Sequence, residues 1–300
     1  MWRGGWVSTV YDVAVVGSGG FLGSAITAHL GARGASVTGF TRDDPILADD
    51  ALAPRAADVP VIVWAAGGIT PTVAADDPDA VAAELEAFRA FARAAAARPV
   101  PPRIVLMSSG GAIYGRPALP PYGEADAPHP PNAYGAYKLA QEAVLAEAGL
   151  DATAIRVANA YGPGQRGAHG QGVLAIWMRE VREGRAITLH GDGSVARDYV
   201  HADDVADLVA RVIAHPAPPA VVNCGSGSPT SLAELLELLR AAVGDALRVE
   251  QLPHRGVDPD STWLDATLAR EALGWEPRMA LADGIADMWA RTAAWHGTSA

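Results

Sequence analysis

At 300 residues the chain has room for two domains of about 150 residues, or for one large α/β domain with an attached lobe, and so for an enclosed site. Half of its residues are apolar and 19% are charged, which excludes intrinsic disorder, and no apolar run approaches the roughly 18 residues that cross a bilayer. The net charge of −11 excludes tracking along a phosphate backbone, because a nucleic-acid binder needs a basic face. Neither a membrane nor a nucleic acid is therefore expected as a partner.

Residues 1–11 carry one Arg and no continuous apolar stretch, so they read as a short extension and not as a signal peptide. The run 13–16 reads as a buried strand ending at Gly17. Gly17-Ser18-Gly19-Gly20-Phe21-Leu22-Gly23 follows, a G-x-x-G-x-x-G run that opens a helix over 21–32. The first glycine permits a tight turn, Gly20 lets backbone approach a pyrophosphate, and Gly23 lets the helix pack on the strand with its amino end toward the phosphates. A glycine-rich turn without a ligand is the alternative, and the strand before and helix after argue against it.

A second strand over 36–40 ends in Thr41-Arg42. An NAD-binding fold usually places Asp or Glu there for the ribose diol, whereas a hydroxyl and a guanidinium suit a 2′-phosphate and favour NADP(H) over NAD(H). A solvated surface Arg followed by Asp43 and Asp44 is the plainer alternative. Only about twenty residues lead to the next strand, too few for a further crossover unit. That strand, 61–66, ends in Ala65-Ala66-Gly67-Gly68, and another, 104–107, ends in Ser108-Ser109-Gly110-Gly111. Between them Asp77-Pro78 starts a helix to about 97 with Val81, Leu85 and Phe88 on one face. Small residues at each strand's carboxyl end leave room for a ligand, as a doubly wound parallel sheet requires.

After the Pro-rich loop 117–131 come a helix over 134–148 and a strand over 154–157. The second half is less regular. A helix over 172–183, a buried strand over 221–223, a capping box at Ser231 and Glu234 that opens a helix over 232–243, and terminal helices over 264–273 and 281–293 are expected. The single cysteine, Cys224, excludes a disulfide framework and fits a reducing, cytoplasmic setting. It reads as a small core residue. His169, His190, His201 and His254 lack metal-ligand spacing, so no metal is expected.

Of 23 basic residues only one is Lys, and it is Lys138. It stands four residues after Tyr134, on the same face of the expected helix. A phenol with pKa about 10 is a poor base at neutral pH, but a neighbouring ammonium and an oxidised nicotinamide both favour its phenolate. Tyr134 then moves a proton while hydride passes to or from a cofactor, and Lys138 also holds the cofactor ribose. A surface Tyr/Lys pair is the alternative, and the placement of the only lysine here argues against it.

These segments, together with RVANAYGPGQ (156–165), GDGSVARDYVHADDVAD (191–207), NCGSGSPTSLAELL (223–236) and LGWEP (273–277), resemble the extended short-chain dehydrogenase/reductases of the nucleotide-sugar epimerase/dehydratase family. The resemblance runs from about residue 12 to 293. It implies a Rossmann-type doubly wound parallel sheet (12–158, with about 198–226 returning to it) and a smaller C-terminal substrate-binding lobe (159–197 and 227–300). It implies NAD or NADP held by Gly17, Gly20, Phe21, Leu22, Gly23, Thr41, Arg42, Ala65, Ala66, Gly67, Tyr134 and Lys138. It also implies a nucleotide-diphosphate sugar held by Asn159, Arg197 and Arg255, and a homodimer through helices 78–97 and 134–148. Two arginines and an amide suit a diphosphate on an acidic protein; a salt bridge of Arg197 with Asp198 or Asp203 is the alternative.

The chain departs from the family's pattern at one place. Relatives carry a catalytic Ser or Thr four residues before the tyrosine of the Tyr114-Gly115 pair, and here that residue is Gly110. Ser109 or Ser108 is then the candidate hydroxyl. The acid and base pair of the 4,6-dehydratases is replaced by Gly111-Ala112, which leaves water elimination without proton carriers. Two reactions at carbon 4 of the sugar remain, 4-epimerisation and NADPH-dependent reduction of a 4-keto-6-deoxy sugar, with the epimerase ahead. A non-catalytic NADP(H)-binding sensor is the third possibility.

Overall fold

In the computed structural model, residues 12–48, 51–167, 172–253 and 261–292 are described. In the first half, β1 (Asp12–Val16), α1 (Phe21–Ala32) and β2 (Ser36–Phe40) are followed by a small hairpin of β3 (Leu47–Ala48) and β4 (Ala51–Leu52). Then come β5 (Val61–Trp64), α2 (Pro71–Asp76), α3 (Pro78–Ala96), β6 (Arg103–Ser109), α4 (Gly110–Ile113), α5 (Ala133–Glu147) and β7 (Ala152–Val157). The rest comprises β8 (Asn159–Tyr161), α6 (Val173–Arg182), β9 (Ile187–His190), β10 (Ala196–Arg197), β11 (Tyr199–His201) and α7 (Ala202–Ala214). It ends with β12 (Val221–Cys224), β13 (Thr230–Ser231), α8 (Leu232–Val243), β14 (Val249–Leu252), α9 (Thr267–Leu273) and α10 (Leu281–Thr292).

Six strands form one parallel sheet in the order β12-β7-β6-β5-β1-β2. Its strands are apolar on both faces because both are covered. Along β1, Val13 and Val15 join one core with Ile26 and Leu30 of α1 and Val205 and Val209 of α7. Ala14 and Val16 join the opposite core with Phe88 and Phe91 of α3 and Val144 of α5. That alternation is the two-residue period of a strand read from its two faces. β2 is an edge, and the short segment before β5 makes the β3/β4 pair and a single 3-10 turn over Pro54–Ala56 and no further crossover strand among the described residues, as its length anticipated.

A separate core gathers Leu174, Trp177 and Met178 of α6, Leu235 and Leu239 of α8, and Ile285 and Met288 of α10. Short paired strands connect these helices: β8 with β11, β9 with β14 and β10 with β13.

Several boundaries differ from expectation. β5 stops at Trp64, and Ala65 N–H gives the last bond of its ladder with β1, to Val16 O (2.9 Å). β6 continues to Ser109. The helix expected from residue 264 starts at Thr267, because Leu264 is spent on a bridge to Tyr122 and the Asp265 carboxylate accepts Thr267 N–H (2.8 Å).

Candidate active site

The glycine loop is built against its neighbours on both sides. Gly17 has φ 84°, a conformation that favours glycine, and a Cβ there would lie 2.7 Å from Ala66 N. Gly17 N and Ser18 N donate to Phe40 O at 2.8 and 3.1 Å, which ties the loop to β2. A Cβ on Gly23 would run into the Gly17 carbonyl, so α1 packs directly on the turn. No side chain caps α1 at Gly20, which leaves the first-turn amides of Phe21, Leu22 and Gly23 to an anion. This cradle fits a dinucleotide pyrophosphate.

Ala65, Ala66 and Gly67 line the next strand end. On its far side Lys138, 5% exposed, brings Nζ to 4.0 Å from the position a Cβ would take on Gly67. Lys138 Nζ donates to Met107 O (3.3 Å) and Gln141 Oε1 (3.1 Å). Burial pushes its pKa down to about 8, against the opposing charges of Glu84 and Glu142. Tyr134 is half-buried one turn earlier on α5, whose amino end is capped by Asn132 Oδ1 accepting Gly135 N–H (2.9 Å). The one lysine thus lies buried at the carboxyl ends of β5 and β6, the edge along which a doubly wound sheet has its ligand cleft.

The two serines differ. Ser108 is buried and donates its hydroxyl to Glu142 Oε1 (2.6 Å). Glu142 also accepts two bonds from Arg156 (3.1 and 2.7 Å), and Arg156 donates to Tyr114 Oη (2.8 Å), which donates to Asn223 Oδ1 (3.1 Å). Burial raises the Tyr114 pKa, only partly offset by Arg156. Ser108 is therefore the end of a buried chain joining β6, α5, β7 and β12. Ser109, half-buried at the end of β6, does not use its side chain to cap α4. Gly110 is packed under Leu264 and the Arg156 carbonyl.

Asn159 stands across from this turn, with Nδ2 3.8 Å from a Cβ position on Gly111 and donating to Asp198 O (3.1 Å). Arg197, on β10, is half-buried and donates to Ala196 O (2.8 Å). Asp198 beside it accepts Ser226 N (2.7 Å), Ser226 Oγ (2.6 Å), Gly227 N (3.3 Å) and Leu264 N (3.2 Å). Arg255 lies outside the described residues, as do His169 and His254. Cys224 is fully buried, and burial pushes its thiol pKa well up, as a core residue requires. Among the described residues no group of His, Cys, Asp or Glu has the arrangement of a metal site.

Glu84 belongs to the cleft although its sequence context did not single it out. Its carboxylate accepts Gly68 N–H (2.9 Å) and the Tyr137 hydroxyl (3.2 Å). The available signal was its place four residues before Phe88, on the buried side of α3. Leu264 and Glu142 were missed because each acts through a partner distant in sequence.

A glycine cradle at β1, a lysine buried at the same edge of the sheet and a tyrosine one turn before it define a dinucleotide-binding α/β protein of the short-chain dehydrogenase/reductase kind. The chain belongs to the NAD dependent epimerase/dehydratase family, whose pattern matches residues 13–225. It is 41% identical over 189 residues to a UDP-glucose 4-epimerase of Mycolicibacterium smegmatis, a match spanning 61% of this chain and 60% of that protein. It is 32% identical to a dTDP-6-deoxy-L-talose 4-dehydrogenase (NAD(P)(+)) of Kitasatospora kifunensis over 92% of this chain and 94% of the relative. The fold is similar to the crystal structure of a UDP-glucose 4-epimerase of Thermotoga maritima with UDP-glucose (TM-score 0.82, 27% identity, 94% of this chain and 98% of that one). It is also similar to a Thermus thermophilus UDP-glucose 4-epimerase in complex with NAD (TM-score 0.76, 27% identity, 94% and 99%). Among the described residues no helix is long and apolar enough to cross a membrane.

Proposed function

We propose that this protein is an NAD(P)-dependent nucleotide-sugar oxidoreductase acting at carbon 4 of the hexose, as a 4-epimerase. The observation that carries this is the placement of the chain's one lysine at Gly67, buried at the carboxyl edge of the sheet, with Tyr134 one turn away. When bound, the nicotinamide supplies a hydride acceptor and donor. The amino end of α1 and the backbone of Gly17 and Gly20 hold the pyrophosphate, and Lys138 holds the nicotinamide ribose. Tyr134 takes the proton of the sugar's 4-hydroxyl and returns it to the 4-keto oxygen, with the Lys138 ammonium favouring its phenolate. Ser109, not Ser108, holds the sugar oxygen, because the Ser108 hydroxyl is given to Glu142. Asn159, Arg197 and Arg255 orient the diphosphate from the lobe formed by 159–197 and 227–300, and a sugar turned over between hydride removal and return emerges with inverted carbon 4. The enzyme works in the cytoplasm, as a homodimer through α3 and α5.

A second assignment, 4-ketoreductase of a 4-keto-6-deoxy sugar, is favoured by Thr41-Arg42 and by the near full-length similarity to a 4-dehydrogenase. The test is to identify the nucleotide released on denaturation and to assay the protein with UDP-glucose and with dTDP-4-keto-6-deoxy sugars. Interconversion of epimers without net cofactor consumption supports the epimerase; stoichiometric NADPH oxidation supports the reductase. Loss of both activities in Tyr134→Phe, with cofactor binding kept, excludes a sensor, and a Tyr134→Phe variant of undiminished activity overturns the mechanism.

A further inference from the structure

Arg42 leaves the end of β2 and reaches across the mouth of the cleft to the turn after β5. Its Nη2 lies 3.4 Å from the position a Cβ would take on Gly68. Glu84 Oε2, arriving from α3, lies 2.8 Å from that same position. The guanidinium and the carboxylate therefore converge over one exposed glycine at the rim of the cofactor cradle. Glu84 is fixed there, since Oε1 accepts both the Gly68 N–H and the buried Tyr137 hydroxyl. The acidic side chains the sequence places soonest after β2 are Asp43 and Asp44, beyond Arg42, and Asp44 is engaged by Arg55.

We propose that Glu84 sets the cofactor preference of this protein, standing beside Arg42 as a built-in rival to a 2′-phosphate and so favouring NAD(H) over NADP(H). This rests on the assignment of the cleft as a dinucleotide site. A 2′-phosphate brings close to two negative charges. To use Arg42 it must sit close to a carboxylate that Gly68 and Tyr137 hold in place, whereas a ribose diol meets no such repulsion. Thr41-Arg42 alone favours the phosphate; the carboxylate from α3 reverses that preference. It also agrees with the epimerase cycle, in which the cofactor is regenerated.

The test is fluorescence titration of NADH and NADPH into the nucleotide-stripped protein, for wild type, Glu84→Gln, Arg42→Ala and the double variant. Glutamine keeps an acceptor for Gly68 and Tyr137 and removes the charge. Wild type is expected to prefer NADH. Glu84→Gln is expected to shift the NADPH/NADH Kd ratio by about tenfold toward NADPH, and Arg42→Ala in that background to abolish the gain. Any effect of Glu84 on Lys138 falls on both nucleotides alike and cancels in the ratio. Wild-type protein offers a second measurement: screening of the repulsion makes its NADH preference shrink as salt rises. A ratio unchanged by Glu84→Gln, a wild-type preference for NADPH, or a preference indifferent to salt would each overturn the proposal. Failure of every variant and wild type to bind either nucleotide would overturn the dinucleotide site itself.

Discussion

Leu264 Cδ1 lies 2.5 Å from the position a Cβ would take on Gly110, and the Arg156 carbonyl lies 3.0 Å from the same position. A side chain at the position whose hydroxyl is missing therefore runs first into the Leu264 methyl groups, and then against the Arg156 carbonyl. The Leu264 backbone is held in turn, since its N–H donates to Asp198 Oδ2 (3.2 Å) and it bridges Tyr122, and the side chain is buried. Gly110→Ser is therefore expected to gain no activity and to lose about 1–3 kcal/mol through overpacking. Leu264→Ala costs about 2–5 kcal/mol on its own, but in that background Gly110→Ser is expected to cost markedly less. Denaturant unfolding of the four proteins measures the coupling, and independent, additive losses would show that the two residues do not compete for one space.

The two serines separate in the same way. Ser109→Ala is expected to lower kcat roughly 100-fold with little change in melting temperature, as loss of a hydrogen bond to a reacting oxygen does. Ser108→Ala removes a buried bond to Glu142 and is expected to cost about 2 kcal/mol of stability. Steady-state kinetics and thermal melts on both variants check this, and the reverse assignment would make Ser108 the reacting hydroxyl.

What the sequence made legible is what is local. The run from β1 through the glycine loop to α1 is legible to within one residue, β1 starting at Asp12 and not at 13, because strand, turn and helix each leave a short-range pattern: 13–16 apolar, glycine at a positive φ, then a helix whose boundaries match. Tyr134 and Lys138 were legible because one helical turn relates them. The short helix α2 was missed, although Thr70 caps it through Val73 N–H and Pro71 follows, because six residues carry little periodicity. β8, β10, β13 and β14 are strands of two to four residues whose partners lie far along the chain, so nothing local specifies them. Leu264 belongs to that class too: its apolar neighbours suggested a helix, and only the fold shows that it closes the site over Gly110.

Asp207 of α7 ties that helix to α1. It accepts from Arg33 (2.5 Å), which caps the carboxyl end of α1, and from Arg211 (2.7 Å), with His29 at 3.6 Å. Burial alone would raise its pKa, but His29, Arg211 and Arg33 together hold it well below the usual carboxylate range. A carboxylate depressed in the folded state contributes stability that is full above the unfolded value of 3.8 and is lost as pH falls through the folded one. Asp207→Asn is expected to lose roughly 2 kcal/mol at pH 7, because two arginines lose their partner. Its stability then falls less steeply than that of wild type below about pH 4. Urea unfolding at pH 7 and pH 3 compares the two, and parallel losses at both would show that the ion pairs contribute nothing.

Lys138 gives a dependence of the same sign in the alkaline range. Its ammonium is taken from water to a site where its hydrogen-bond acceptors, Met107 O and Gln141 Oε1, are uncharged, and burial lowers its pKa from 10.5 to about 8. Between those two values the unfolded chain binds more protons than the folded one, so stability of the cofactor-free protein is expected to rise with pH across that window. Below about 8 both states are protonated and the burial penalty is at its full size; above 10.5 neither is, and it is gone. Lys138→Met is expected to remove this slope and, on the proposed roles, the activity as well, since an apolar side chain of similar length neither titrates nor favours a Tyr134 phenolate. Chemical unfolding of wild type and Lys138→Met at pH 7.5 to 10 measures the difference. Identical slopes would mean that the lysine is hydrated in the cleft, and its charge would then be too weak to activate Tyr134.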